Sequence, residues 1–424
     1  MAYTETRTVS YGSRLGNSFK GIGTGFVMLI IGTILLWWNE GNFVKTEKML
    51  EEAQGACVHV EDVTKVDPEY EGQLIHAIAP TSTKDSLSDP MFKVGAVCVK
   101  LSRDVEYYQW VENKHEEHRD KVGGGEEIIT TYTYEQKWVS SPESSGSFKE
   151  AGHTNTVKLT GIEDADEIAE NVKFGGYDLP GFLISQISGF KDLDINLPAD
   201  QVIDLSKRAG GSSVLSNGVA AQEVNDTTAA APANLAETNM IHQQGNVLYI
   251  GRNAGSPEIG DMRITFKYVT APKAASVIAK TQGETFAKFV AKNGKTLSVL
   301  SVGSHSMEEM FQTEHDNNSL LTWVLRIIGV LLIIGAFKSI FGILYMLFKV
   351  LPFLADIVEM GVGLVAGILG IAWSLIIIAL AWIWYRPVIG CIILAIVVGL
   401  IAYGVMSGKK AKAAKPAVEP TPAQ

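Results

Sequence analysis

Four short stretches contain residue types that could do chemistry. His115-Glu116-Glu117-His118 sets two imidazoles three residues apart among carboxylates, but a zinc protease needs H-E-x-x-H with both histidines on one helix face. This stretch lies inside Asn113–Gly125, a charged insert ending in glycines, and reads as a solvated hairpin. Gly123-Gly124-Gly125 lacks the Lys-Ser/Thr pair of a phosphate loop and reads as its turn. Glu163-Asp164-Ala165-Asp166-Glu167 could attract calcium, yet it misses the glycine and the spaced last glutamate of an EF-hand and reads as an acidic loop. No G-x-S-x-G elbow or C-x-x-C motif is present. Cys57 and Cys98 could pair in an oxidising space or stay as buried thiols, and with Cys391 they are too few for a disulfide framework. No catalytic, metal or cofactor site is assigned. His76, His153 and the His115/His118 pair are what an enzyme would have to use.

The other chemically loaded residue is Arg326, about six residues inside an apolar run and so roughly 9 Å deep at helical rise. A charge at that depth costs a few kcal/mol unless it snorkels to the headgroups or pairs within the bilayer. Two sets of glycines lie on similar runs: Gly21-x-x-x-Gly25 with Gly32, and Gly363-x-x-x-Gly367 with Gly370. Such small faces let helices approach closely, within one bundle or between copies of a chain.

The elements that position these residues are apolar segments at both ends of the chain. Residues 21–38, 320–337, 361–385 and 386–406 each approach or exceed the ~20 apolar residues that cross a ~30 Å hydrocarbon core. In lipid such segments must be helices, because no water satisfies their backbone. Trp37-Trp38-Asn39-Glu40-Gly41 ends the first as an interfacial belt and a break, with no signal-peptidase site. Residues 338–360, interrupted by Lys349 and Pro352, read as an in-plane or re-entrant segment. Trp373, Trp382 and Trp384 read as interfacial anchors or bundle packing.

Charge then assigns sides. Arg7, Arg14 and Lys20, Lys338 and Lys349, and Lys409, Lys410, Lys412 and Lys415 fall together on one side if there are four spans. The positive-inside rule makes 1–20 a cytoplasmic N-terminus, 407–424 a basic cytoplasmic tail and 39–319 an extracytoplasmic domain, periplasmic or lumenal. Residues 45–319 hold 25 of the 36 basic and 41 of the 46 acidic residues, a net −16. That excludes nucleic acid as a partner, since phosphate binding needs a basic footprint.

Inside the domain, Lys45–Gln54 reads as a short helix stopped by Gly55. Strands follow at Phe92–Leu101, Val105–Val111, Ile128–Trp138, Val247–Ile250 and Met262–Val269, all rich in β-branched and aromatic residues at period two. Val219–Glu237 reads as a loop or linker. Ser306-Met307-Glu308-Glu309 has capping-box spacing and predicts a helix that runs on into the second span. The fold class is an α+β membrane protein, with a β-rich extracytoplasmic domain between one N-terminal and three C-terminal transmembrane helices.

Several of these stretches resemble one family in sequence and order. Trp38-Asn39-Glu40-Gly41, Tyr108-Gln109-Trp110 with Glu112, Tyr132 and Tyr134 with Trp138, Gly152-His153, Gly260-Asp261 with Arg263, Trp323 with Arg326, and Arg386-Pro387 are similar to motifs of the transmembrane protein 43 (LUMA) family. Tyr107 departs conservatively from the usual E-M-Y-Q-W pattern. The resemblance implies an N-terminal span, a large extracytoplasmic domain and a C-terminal membrane bundle, with no cofactor. Similar eukaryotic proteins reside in the endoplasmic reticulum and inner nuclear membrane, oligomerise, and are linked to emerin and lamins. In a bacterium the place would be the inner (cytoplasmic) membrane.

The function expected from topology, glycine spacing and missing catalytic signatures is an oligomeric membrane scaffold. Its partners would be the lipid bilayer, copies of itself, and other membrane or extracytoplasmic proteins. A membrane-bound hydrolase or lipid- or peptide-processing enzyme, with its site in the extracytoplasmic domain, is the alternative. An oligomeric channel with Arg326 in the pathway is a further one.

Overall fold

The structure, a computed structural model, describes residues 2–209, 213–216, 219–223, 240–348 and 352–387. The expected fourth span from 388 onward, the basic tail and most of the 219–237 loop lie outside the described residues. Strand β1, Ala2–Val9, leads into helix α1, Tyr11–Ala56. Helices α2, Met307–Phe348, and α3, Pro352–Tyr385, close the described chain. Each of the three is long and apolar enough to cross a membrane. Residues 338–348 close α2 and 352–360 open α3, so the interrupted segment contributes helix on both sides of 349–351.

Between α1 and α2 lies the β-rich part, built on two sheets. The first contains β5, Lys100–Asp120, β6, Glu126–Val139, β9, Ile241–Gln244, β10, Val247–Ile250, and β11, Met262–Val269. Its order is β1-β6-β5-β11-β10-β9. The second contains β2, Cys57–Val60, β3, Leu74–Ala79, β4, Thr81–Thr83, β7, Val172–Phe174, β8, Tyr177–Asp178, β12, Ala275–Gln282, and β13, Thr285–Ala287. Its order is β2-β3-β12-β13-β8-β7-β4, and β14, Val299–Val302, also pairs with β12.

Alternation explains the burial. Along β5, residues 101, 103, 105, 107 and 109 are buried while their neighbours are half-buried, the period-two signature of a strand with one face on a core. Phe92, Leu248, Ile250, Met262, Ile264 and Phe266 fill that core, and Ile75, Phe174, Tyr177, Leu183 and Phe286 fill the one beside the second sheet.

The described chain divides into two compact units. One holds residues 2–8, 49–119 and 127–313, and the other holds 9–48, 120–126 and the described residues from 314 onward. In the first, Met49, Leu50 and Ala53 of α1 and Met310 and Phe311 of α2 share a core with Leu74, Ile278 and Val299. The capping box forms as expected. The amide of Ser306 donates to Glu309 Oε2 at 2.9 Å, and the amide of Glu309 donates to Ser306 Oγ at 3.2 Å.

One expectation is corrected. Helix α1 does not break at Trp37–Gly41 or restart at Lys45; it runs unbroken for 46 residues, about 69 Å. Glycine inside a helix costs about 1 kcal/mol relative to alanine. Here Asn39 and Glu40 make buried contacts, and the Tyr385 ring fills the space where a Gly41 side chain would stand. Strand β1 lies beside β6 in the first sheet, and its alternating Tyr3-Thr4-Glu5-Thr6-Arg7-Thr8-Val9 suits an edge strand.

Candidate functional site

The most concentrated polar chemistry in the second unit lies on its apolar helices. Glu40 of α1 has no solvent exposure, yet both its oxygens are occupied. Arg326 Nε donates to Oε1 at 2.6 Å and Arg326 Nη2 to Oε2 at 2.7 Å, while Trp382 Nε1 of α3 donates to Oε2 at 2.7 Å. The guanidinium also lies 4.9 Å from the Trp323 ring centre and 5.9 Å from that of Trp382. Of the two fates open to Arg326, the structure shows pairing within the bundle. Bidentate arginine–carboxylate geometry is the strong form of this contact, and the two indoles cover it.

The cluster extends along one seam. Asn39 Nδ2 donates to the Thr322 carbonyl at 3.1 Å, and Thr322 Oγ1 donates to the Asn318 carbonyl at 2.7 Å. Asn318 Nδ2 donates to Glu47 Oε1 at 2.6 Å, and His315 Nδ1 lies 2.8 Å from Glu47 Oε2. Residues 315, 318, 322 and 326 recur at three- and four-residue spacing, as do 36, 39/40, 43 and 47 on α1. These are the spacings that put side chains on one helix face. Asn39 Oδ1 is buried with no partner among the described residues.

The glycines expected to pack helices divide. A Cβ on Gly25 would meet Ile340 and Ala336, one on Gly32 would meet Ile333, one on Gly370 would meet Ile334, and Gly21 faces Ser339 at 3.5 Å. These four bring helices together within the unit. A Cβ on Gly363 or Gly367 would meet no described atom within 4 Å. At the end of α3, Arg386 lies 5.1 Å from the Phe43 ring centre, with Pro387 next in the chain, and Trp38 faces outward at 55 % exposure.

In the first unit the expected motif residues converge on β5, β6 and β11. Register sets Arg263 opposite Glu106; the two form an ion pair, and the Arg263 guanidinium lies 4.5 Å from the Trp138 ring centre. Trp138 packs on Tyr108 at 5.2 Å and on Tyr249 at 6.2 Å. Buried Asp261 accepts from Tyr249 Oη at 2.5 Å and from the Glu258 amide at 2.8 Å. Burial first, and then this carboxylate, push the Tyr249 phenol upward. Gly260 before it has φ +95°, a left-handed conformation that favours glycine. Gln109 Oε1 accepts from the Glu143 amide at 2.5 Å.

His153, following Gly152, stacks on Tyr134 at 4.0 Å and meets the edge of Trp110 at 4.6 Å. Glu112 Oε2 accepts from Tyr134 Oη at 2.5 Å and from the Lys149 amide at 2.7 Å. Tyr132 is buried beside Tyr3 of β1, ring centres 6.1 Å apart. These groups tie strands to loops.

The stretches with possible chemistry are not assembled into a reactive site. His115 and His118 stand on the exposed end of β5, where a separation of three points them to opposite faces. Asp164 Oδ1 accepts from the Val105 amide at 2.7 Å. Gly123 and Gly124 form the β5–β6 turn at φ +93° and +82°, and Arg14 donates to the carbonyls of Gly124 and Gly125 and to Asp120 and Glu126. Cys57 and Cys98 are free thiols, with burial pushing Cys57 up to about 12. Among the described residues no three His, Cys, Asp or Glu side chains are placed to hold a metal.

One contact escaped the sequence. His59 Nδ1 lies 2.8 Å from His76 Nδ1, and His76 Nε2 lies 3.0 Å from the His305 carbonyl. The matching alternations Cys57-Val58-His59 and Leu74-Ile75-His76 were its only signal.

The family model described as Transmembrane protein 43 matches residues 107–387. Transmembrane protein 43 of Homo sapiens is 30% identical over 410 residues, covering 94% of this chain and 93% of that protein. The Rattus norvegicus protein of the same description is 30% identical over 395 residues, with 90% and 89% covered. A Drosophila melanogaster homologue is 28% identical over 380 residues, with 88% and 90% covered. No solved structure matches.

Proposed function

The chain belongs to the transmembrane protein 43 family, and from that premise we propose that it is a membrane scaffold that assembles with copies of itself and organises other membrane proteins. As a family member with three apolar helices and a β-rich part between them, it is an integral membrane protein.

The observation that carries the scaffold reading is the closure of the Glu40–Arg326–Trp382 cluster. Its charges satisfy each other across three helices, which suits a fixed support better than a reactive centre: a catalytic acid, base or nucleophile needs a free lone pair or proton within reach of substrate. A bidentate pair capped by an indole also offers little to a permeating ion. Crosslinking mass spectrometry on native membranes, with the full chain at its natural level, tests the proposal. Recurrent self-crosslinks together with a small set of protein neighbours are expected. Isolated monomers beside lipid- or wall-modifying enzymes would favour the enzyme alternative.

A further inference from the structure

We propose that β1 is an interface between two copies of this chain, which pair antiparallel along its outer edge about a two-fold axis at Thr6. This rests on the scaffold reading and names the surface it would use.

β1 ends its sheet: β6 is its neighbour on one side and no described strand flanks the other. Six of its eight residues are exposed, and Glu5 and Val9 are half-buried. An edge strand presents outward-facing N–H and C=O groups ready to pair with another strand. Natural edges are blunted by proline, by bulges or by charged side chains; β1 has no proline or glycine, and its two charges, Glu5 and Arg7, are of opposite sign and so can pair across a seam. Arg7 feels the charges of Glu116 and Lys114 but is within ion-pair distance of no described carboxylate, and the Glu5 carboxylate takes the Tyr3 hydroxyl at 3.3 Å.

The sequence selects the partner. A two-fold axis normal to the sheet keeps each face on its own side, so it pairs residues of the same face and its centre falls on a residue. Centred on Thr6, it sets Glu5 against Arg7 of the partner subunit twice, Thr4 against Thr8, and Tyr3 against Val9. Centred on Glu5 it opposes two carboxylates, and centred on Arg7 two guanidiniums. Opposite charges directly across an antiparallel pair stabilise it and like charges oppose it. Registers centred on Thr4 or Thr8 avoid like charges but pair fewer residues and make no ion pair, so Thr6 alone sets opposite charges across the seam, and the occupant that fits it is a second copy of the same strand. Confinement of both copies to one membrane raises their effective concentration.

The test uses the full chain in lipid nanodiscs under mild oxidation, with the wild type as background for the natural thiols. Thr6→Cys is expected to form a disulfide-linked dimer at least fivefold above wild type. Thr4→Cys alone and Thr8→Cys alone are expected to stay at background, whereas co-assembled Thr4→Cys and Thr8→Cys chains crosslink. In the Thr6→Cys background, Glu5→Arg lowers the yield several-fold and Glu5→Arg/Arg7→Glu restores it. Equal crosslinking at all three positions, or no response to the charge swap, overturns the interface. If Thr6→Cys stays uncrosslinked while mass photometry still shows oligomers, β1 is not the surface and the scaffold reading stands. Monomers throughout overturn both.

Discussion

Arg326 reaches Glu40 with two N–H donors, at 2.6 and 2.7 Å, from six residues inside an apolar run. Removing one member of a buried pair leaves the other uncompensated and costs about 3–5 kcal/mol, whereas removing both is often near neutral. Arg326→Met is therefore expected to lower resistance to detergent unfolding by about that amount, and Glu40→Gln/Arg326→Met to recover most of it. Trp382→Phe, which removes one hydrogen bond, is expected to cost about 1–2 kcal/mol. Additive losses in the double variant would show that the pair is not coupled.

Glycines on the same helices differ in what surrounds them. A methyl group at Gly41 would stand 2.5 Å from the Tyr385 ring, and one at Gly363 would meet no described atom within 4 Å. Gly41→Ala is expected to destabilise by about 1–3 kcal/mol, the range for overpacking, and Gly363→Ala to be neutral or slightly stabilising. Thermal unfolding in one detergent compares the two, and equal effects would contradict the packing.

Acid is expected to weaken the second sheet at β2. His76 Nε2 donates to the His305 carbonyl, so in the neutral ring Nδ1 carries the lone pair and accepts from His59 Nδ1–H. Burial first, and then the neighbouring His59, hold His76 below its ordinary value of 6.5, against the His305 carbonyl and the charge of Glu308. A histidine depressed in the fold takes its proton more readily when unfolded. Its contribution is thus intact above pH 6.5 and is lost as pH falls towards the lower folded value. Protection factors in β2, corrected for the intrinsic pH dependence of amide exchange, should fall between pH 7.5 and 5, and His76→Gln, which keeps a donor for His305 but cannot titrate, should flatten that fall. An unchanged slope would assign the effect to other groups.

The strand order also predicts sidedness. Because β1 stands beside β6, Thr4→Cys and His118→Cys should react with an impermeant maleimide from the same face of sealed vesicles. Labelling from opposite faces would mean that β1 leaves the sheet when the protein is in a membrane.

Much of this architecture was legible in the sequence because it follows from local rules. Apolar length marked the three described spans, and period-two alternation marked Val247–Ile250 and Met262–Val269 to the residue. The Ser306/Glu309 box marked the start of α2. What was hidden depends on distant partners. Nothing local to Glu40 announces Arg326, 286 residues away, or shows that Tyr385 would let Gly41 remain helical. For β1, pairing with β6, more than a hundred residues on, is a tertiary event that no local pattern registers.

The position of β1 also sets a schedule for synthesis. Strand β6 begins 117 residues after β1 ends (126 − 9), so at ribosomal rates β1 waits on the order of ten seconds for its sheet partner. Helix α1 is complete long before that. The first strand made is therefore placed only after β2 to β6 have been made, and Arg14 can close on the β5–β6 turn only after it has emerged. In that interval the edge of β1 is open to any strand made nearby, so the order of translation, as well as the final free energies, bears on which edge β1 meets first.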